Sequence, residues 1–278
     1  MSFYPQPSSY ECGPFALKYA LVMLGQFRSE KELGRIAGSN WWNGTDEIGL
    51  AKAAKASDCE MKYFRRKEPK IALRSLTAHL KQSHPCILSV DNWEHWFTVI
   101  NYQSGRYVVV DSKLPKVIKI YSPLALLKRW KYTDDETGHI SYDGYAIIPK
   151  FRTATKGKFS LEVARKVMHE KNKEVAEKWD IYFNDLIDIC RPLAGNSKFS
   201  YSFTEFLRRY EKLLIRRVAH WHGDPRHSEL RKILDNMEFV ADVYDLRIYE
   251  KDEAKVLIDI TSLLMMYACG RYGMDPIY

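Results

Sequence analysis

The chain has 278 residues and carries 43 Lys and Arg against 35 Asp and Glu, a net charge of +8. Hydrophobic residues at 46% and charged residues at 28% exclude a disordered tail or a collagen-like repeat, and the length fits two domains of about 150 residues each. The apolar stretches fall short of the roughly 20 residues that span a bilayer, and Met1 to Gln6 is polar rather than a basic-then-apolar leader, so a soluble, cytoplasmic protein is expected.

The first element is a helix from about Cys12, with Phe15, Tyr19, Val22 and Met23 at helical spacing and Gly25 as its stop. Two short helices follow at 46–56 and 70–82. From Cys86 the pattern turns to strands: Cys86–Val90, Trp96–Tyr102, Tyr107–Val110, Val117–Tyr121 and Tyr145–Ile148. The turn residues Ser104-Gly105 join the second and third of these as a hairpin. Helices followed by an antiparallel sheet make residues 1–150 an α+β domain. Residues 151–158 read as a polar linker. Beyond it, 160–189, 202–221, 225–246 and 252–269 each carry an apolar helical stripe, which predicts an all-α domain over 159–278, a bundle of about four helices. Asp224 and Pro225 have the chemistry of an N-cap and first helical residue for the third of these.

Charge is spread thinly, at +6 over 1–150 and +2 over 151–278, with Arg65-Arg66-Lys67 as the one compact basic run. That run reads as a solvated loop. No RNA-binding aromatic motif, zinc finger or phosphate loop supports a nucleic-acid or nucleotide partner. Five cysteines at 12, 59, 86, 190 and 269 form no CxxC pair; the odd count argues against a disulfide framework and fits a reducing compartment.

Chemistry concentrates at the N-terminus. Cys12 opens a helix, where unpaired N–H groups and the positive end of the macrodipole favour a thiolate. Gly13 beside it would let a substrate approach the backbone. Gln6 can add a side-chain amide to the Cys12 backbone N–H as donor to an oxyanion. A base comes from the hairpin: His95 begins one strand and Asp111 follows the end of the next, at positions symmetric about Ser104-Gly105. An aspartate there can hold the imidazole in one tautomer and stabilise its cation.

Gln6 six residues ahead of Cys12-Gly13, His95 downstream and Asp111 after the next strand together resemble the C39-type cysteine peptidases of the papain-like superfamily. The stretch from Gly44 to Ala54 (GTDEIGLAKAA) is also similar to the segment between nucleophile helix and sheet in that family. The resemblance covers about residues 1–150. It implies a papain-like fold and peptide-bond cleavage through a thioester, with Cys12 as nucleophile, His95 as base, Asp111 as orienting group and Gln6 as oxyanion donor. This sequence departs from the family in two ways. Asp111 is followed by Ser112 where Pro is common, and the helical half has no counterpart. The best-known members are parts of ABC exporters that trim leader peptides after a double glycine, whereas these residues include no membrane span or nucleotide motif.

The expectation is therefore a cysteine peptidase or amide hydrolase acting on a peptide or isopeptide bond, without a cofactor. Two rivals remain: amide transfer of transglutaminase or acyltransferase type by the same triad, and a catalytically silent binding module. Trp41, Trp42 and Trp93 are candidates to line a substrate groove with Gly13. Cys59, Cys86, Cys190 and Cys269 lack a matched base and read as core thiols, and His79 and His84 read as surface residues. His220, His222, Asp224 and His227 concentrate possible ligands, but His220 and His222 point apart on a helix, so no metal is expected. The helical domain is assigned to a protein partner, to substrate selection or to self-association.

Overall fold

A computed structural model describes residues 2–151, 155–192, 199–221 and 226–272. Two compact units divide it, Met1–Lys178 and Trp179–Tyr278. The first unit contains helices α1 (Cys12–Met23), α2 (Glu30–Ala37) and α3 (Glu47–Ala56), strand β1 (Cys59–Arg66) and helix α4 (Pro69–Lys81). Strands β2 (Cys86–Val90), β3 (His95–Gln103), β4 (Arg106–Val110) and β5 (Ile118–Tyr121) follow. Helix α5 (Pro123–Trp130), strands β6 (Lys131–Thr133) and β7 (Ile140–Pro149), and helices α6 (Leu161–Met168) and α7 (Lys173–Glu177) complete it.

The seven strands form one antiparallel sheet in the order β1-β7-β2-β3-β4-β5, with β6 paired to β7. Alternation sends neighbouring residues to opposite faces. Ile87, Trp96 and Ile147 join Cys12, Ala16, Leu17, Leu50 and Ala53 on one face, whereas Leu88, Phe97 and Ala146 join Phe64, Leu76 and Trp130 on the other. Both faces are covered, which is why β2 is buried at every position.

Helix α1 is buried along its whole length. Its one charge, Lys18, is neutralised by Glu30 at 2.8 Å, and the Thr98 hydroxyl of β3 donates to the Ala16 carbonyl at 2.6 Å. Asp46 caps α3 by accepting from the Gly49 N–H at 2.7 Å.

Several elements differ from the expectation. Residues 59–66 form an edge strand, so Arg65 and Arg66 lie on β1 rather than in a loop. Helices α2 and α5 are additional. The segment expected as one helix over 160–189 is broken, because the chain turns extended at His169 and restarts after Lys178. The unit boundary follows α7. Asn101 donates to the Phe159 carbonyl at 2.7 Å, and Gln103 accepts from the Leu161 N–H at 2.9 Å, tying α6 to the sheet domain.

The second unit contains helices α8 (Trp179–Ile189), α9 (Phe203–Trp221), α10 (His227–Val243) and α11 (Glu253–Tyr272). To these helices the structure adds a small antiparallel sheet of β8 (Arg191–Pro192), β9 (Ser200–Ser202) and β10 (Leu246–Tyr249), in the order β8-β10-β9. Trp179, Tyr182, Phe203, Phe206 and Tyr244 fill its core. No described helix is long and apolar enough to cross a membrane.

Candidate active site

Cys12 is the first residue of α1 and almost completely buried. His95, the first residue of β3, is also buried, and its Nε2 lies 2.7 Å from Asp111 Oδ1. That contact leaves Nδ1 as the free-facing ring nitrogen, and Cys12 is near enough to the imidazole to act on its pKa. Burial alone would pull the His95 pKa down. The hydrogen bond to Asp111 and its negative charge, with Cys12 acting in the same direction, outweigh it and raise the pKa from 6.5 to about 9. Burial likewise works against the Asp111 charge, but His95 and Arg129 prevail and hold its carboxyl below the usual 3.8.

The hairpin brings His95 and Asp111 together in a register other than the expected one. Thr98 pairs with Val110 and Val99 with Val109, and a bulge follows before Asn101. Asp111 is therefore level with Phe97 rather than His95. Asp111 sits just past the end of β4, its N–H donating to the Val117 carbonyl at 2.7 Å and extending the β4–β5 pairing by one residue, and its carboxylate reaches the ring diagonally.

The turn before His95 is unusual. Asp91, Asn92 and Trp93 all have positive φ, at 54°, 59° and 68°. Left-handed backbone costs roughly 1–2 kcal/mol per residue, least for Asp and Asn and more for a bulky side chain such as Trp93. Contacts on both flanks hold it. The Asp91 N–H donates to the Arg129 carbonyl at 2.8 Å. Trp93 stacks on Tyr132 at 3.9 Å and donates to Asp143 at 3.2 Å.

Arg129, on α5, was not singled out from the sequence. Its Nε and one terminal nitrogen donate to the two oxygens of Asp91, at 2.9 and 2.5 Å. The other terminal nitrogen donates to Asp111 Oδ2 at 2.5 Å and to the Tyr121 hydroxyl at 3.3 Å. Arginine's fork suits such a bridge between two carboxylates. Paired charge 18 positions after Asp111, on a short helix the sequence pattern did not expose, left no local signal.

Gln6 lies on the segment that precedes α1. Its backbone N–H donates to the Ser112 carbonyl at 2.9 Å, and its Oε1 accepts from the Ser112 hydroxyl at 2.5 Å. Its amide nitrogen donates to the Ser8 and Ser9 carbonyls, at 2.7 and 3.2 Å. To donate to an oxyanion, the amide must exchange one of these carbonyls. Gly13 has a packing reason to be glycine: a Cβ there would sit 2.7 Å from Thr45 Cβ. The space expected for substrate at Gly13 is filled by Thr45.

Thr45 also lines a cleft of about 600 Å³ with Asn43, Asp46, Glu47, Tyr63, Arg65, Trp93 and Trp96 among its walls. The Trp96 indole N–H donates to the Thr45 carbonyl at 3.0 Å and fixes this wall to the sheet. Trp93 is thus on the cleft. Trp41 and Trp42 are 74% and 76% exposed on the neighbouring turn closed by the Asn40–Gly44 bridge. At the cleft floor, buried Asp143 accepts from Tyr63, Arg65, Trp93 and Ser141.

Burial pushes the Cys59 thiol up to about 11, drives Cys86 higher still and raises Cys190 to about 12. His79 and His84 are half-buried rather than on the surface, and burial lowers both pKa values. Of the C-terminal candidates, His222 and Asp224 lie outside the described residues. Among the described residues no group of three or more His, Cys, Asp or Glu is arranged to hold a metal ion.

No family model matches this chain, and no curated protein does. Similar solved structures are C39-type peptidase domains. The peptidase domain of Streptococcus ComA, a bifunctional ABC transporter involved in quorum sensing, is 20% identical, covering 53% of this chain and 98% of its own at a TM-score of 0.40. A double glycine motif protease from an AMS/PCAT transporter, solved with its leader peptide, is 18% identical over 51% of this chain and 89% of its own, TM-score 0.38. A C39-like peptidase from Bacillus anthracis is 12% identical over 54% and 94%, TM-score 0.38. The likeness lies in the N-terminal half, and the C-terminal half is unmatched.

Proposed function

We propose that the Met1–Lys178 unit is a C39-like cysteine peptidase that cleaves a peptide or isopeptide bond through a thioester on Cys12. The observation that supports this reading is a buried imidazole, His95, 2.7 Å from a buried carboxylate and under the electrostatic influence of a thiol at the start of a buried helix. An imidazolium beside a thiol favours the thiolate. The Cys12 sulfur attacks the scissile carbonyl, and the tetrahedral oxyanion forms against the N–H groups at the start of α1, with Gln6 as a further donor. The carbon–nitrogen bond then breaks, and the departing amine takes the proton held on His95 Nδ1. A water molecule loses its proton to the same nitrogen as it adds to the thioester, releasing a carboxylic acid and restoring the Cys12 thiol. Asp111 keeps the ring oriented and offsets its charge throughout. The cleft between the 43–47 segment and the sheet is the proposed seat of the substrate, with Trp93 on its wall and Trp41 and Trp42 beside it. The Trp179–Tyr278 unit is read as a module for partner binding or self-association.

The test is a peptide library incubated with the full chain, with new N-termini labelled and identified by mass spectrometry. Cleavage products absent with Cys12→Ala support hydrolysis. Products in which an added primary amine has replaced water would favour the transfer reaction instead. An intact library, with or without amine, would overturn both.

A further inference from the structure

We infer that Arg129 is the positioning residue of this site: clamped by Asp91 in the left-handed turn before His95, its guanidinium fixes the outer oxygen of Asp111 and so sets the imidazole in line with Cys12. This inference rests on the peptidase reading and names a residue that the Cys-His-Asp set does not include.

The geometry makes one side chain answer for both flanks of the base. On the backbone side, Arg129 accepts from the Asp91 N–H through its carbonyl and donates to both Asp91 oxygens through its fork. That closes the turn whose three left-handed residues deliver His95 to the start of β3. On the side-chain side, it donates to Asp111 Oδ2. Oδ1 accepts from His95 and, at 3.0 Å, from the Lys113 N–H. With each oxygen assigned a donor, the carboxylate has one orientation, and the ring follows it. The guanidinium itself packs over Phe97 at 5.1 Å, two residues along the strand from His95. A carboxylate bonded to His95 alone could rotate about its Cβ–Cγ bond and take the ring with it. A small loss of alignment at a reacting atom costs far more in rate than in fold.

The charged and titratable groups facing this centre are Cys12 and Tyr19 from α1, Asp91 from the turn, Asp111 after β4, Tyr121 from β5 and Arg129 from α5. Arg129 is the cation among them besides His95. Removing it takes away both the fork and a positive charge, so a lysine and a glutamine at this position separate the two.

The experiment measures Cys12 alkylation by iodoacetamide in the full chain against pH, by mass spectrometry, so it needs no knowledge of the substrate. The wild type, His95→Ala, Arg129→Gln, Arg129→Lys, Arg129→Ala and Asp91→Asn are compared, each with its thermal melt. In the wild type, Cys12 should react fast at pH 6, and His95→Ala should abolish that advantage. Arg129→Gln should slow the reaction at pH 6 by at least about tenfold and move the rise in rate to higher pH. Arg129→Lys should fall between the two, because it keeps charge without the fork. Arg129→Ala should regain rate with guanidinium ion at concentrations that leave the melt unchanged, while His95→Ala should not. Asp91→Asn should act in the same direction and add nothing once Arg129 is Gln, and this arm decides if an Arg129 variant does not fold. A wild-type Cys12 indifferent to His95 would sink the peptidase reading. A normal His95 dependence with Arg129→Gln and Asp91→Asn matching the wild type would sink the Arg129 role alone.

Discussion

The ion pair between His95 and Asp111 should make the first unit lose stability at high pH by a calculable amount. His95 has a folded pKa of about 9, against about 6.5 for a histidine in the unfolded chain. A pKa raised by folding means that the pair stabilises fully below pH 6.5 and that this stabilisation disappears as the pH climbs through 9. The gap, at roughly 1.4 kcal/mol per pH unit, comes to about 3 kcal/mol. Asp111 is the opposite case: its lowered pKa supports the fold above 3.8 and is lost as the pH falls through the folded value. Urea unfolding followed by tryptophan fluorescence reads the effect, since Trp41, Trp42, Trp93, Trp96 and Trp130 all lie in the first unit. Other groups titrate over the same range, so the informative quantity is a difference between proteins. Between pH 6 and 10 the wild type should lose up to about 3 kcal/mol more than Asp111→Asn, in which Cys12 alone is left to raise the histidine pKa. Equal losses in the two proteins, or a difference well under about 1 kcal/mol, would refute the reasoning.

Gln6→Ala should reduce kcat on a cleaved peptide by about a hundredfold, the usual cost of one oxyanion donor, and leave Cys12 alkylation unchanged; parallel loss of both would make Gln6 structural. Gly13→Ala should lower the melting temperature by the equivalent of about 1–3 kcal/mol, because its methyl meets Thr45 at 2.7 Å. Trp96→Phe keeps an aromatic ring but removes the indole N–H that the Thr45 carbonyl accepts from, and should cost about 1–3 kcal/mol in urea unfolding while raising KM through a loosened cleft wall.

How much of this was legible in the sequence depended on whether the signal was local. Cys12 at a helix start is a local pattern, and so is a turn between two β-rich runs, which is why the nucleophile helix and the β3–β4 hairpin are readable. The pairing of His95 with Asp111 was legible as a neighbourhood but not as a register. The ladder, with its bulge near Asn101, sets Asp111 opposite Phe97, and the contact with His95 is made diagonally, which no periodicity reports. Strand β1 was hidden because it is an edge strand in which Tyr63, Arg65 and Arg66 are exposed and Phe64 is buried, so its composition looks like a charged loop. Helix α5 has eight residues, too few for a stripe to stand out, and it carries Arg129. The Gly13 and Gln6 contacts depend on residues distant in sequence, Thr45 and Ser112, and only folding brings them close.

The central claim is that Cys12 is a nucleophile made reactive by His95. It is tested most directly by treating the full chain with a panel of peptidyl acyloxymethyl ketones at pH 7 and locating every adduct by mass spectrometry, in the wild type and in His95→Ala. The account predicts one adduct, on Cys12, that is lost without His95, with Cys59, Cys86 and Cys190 untouched in their buried settings. No adduct on Cys12, or one formed equally well without His95, would contradict it.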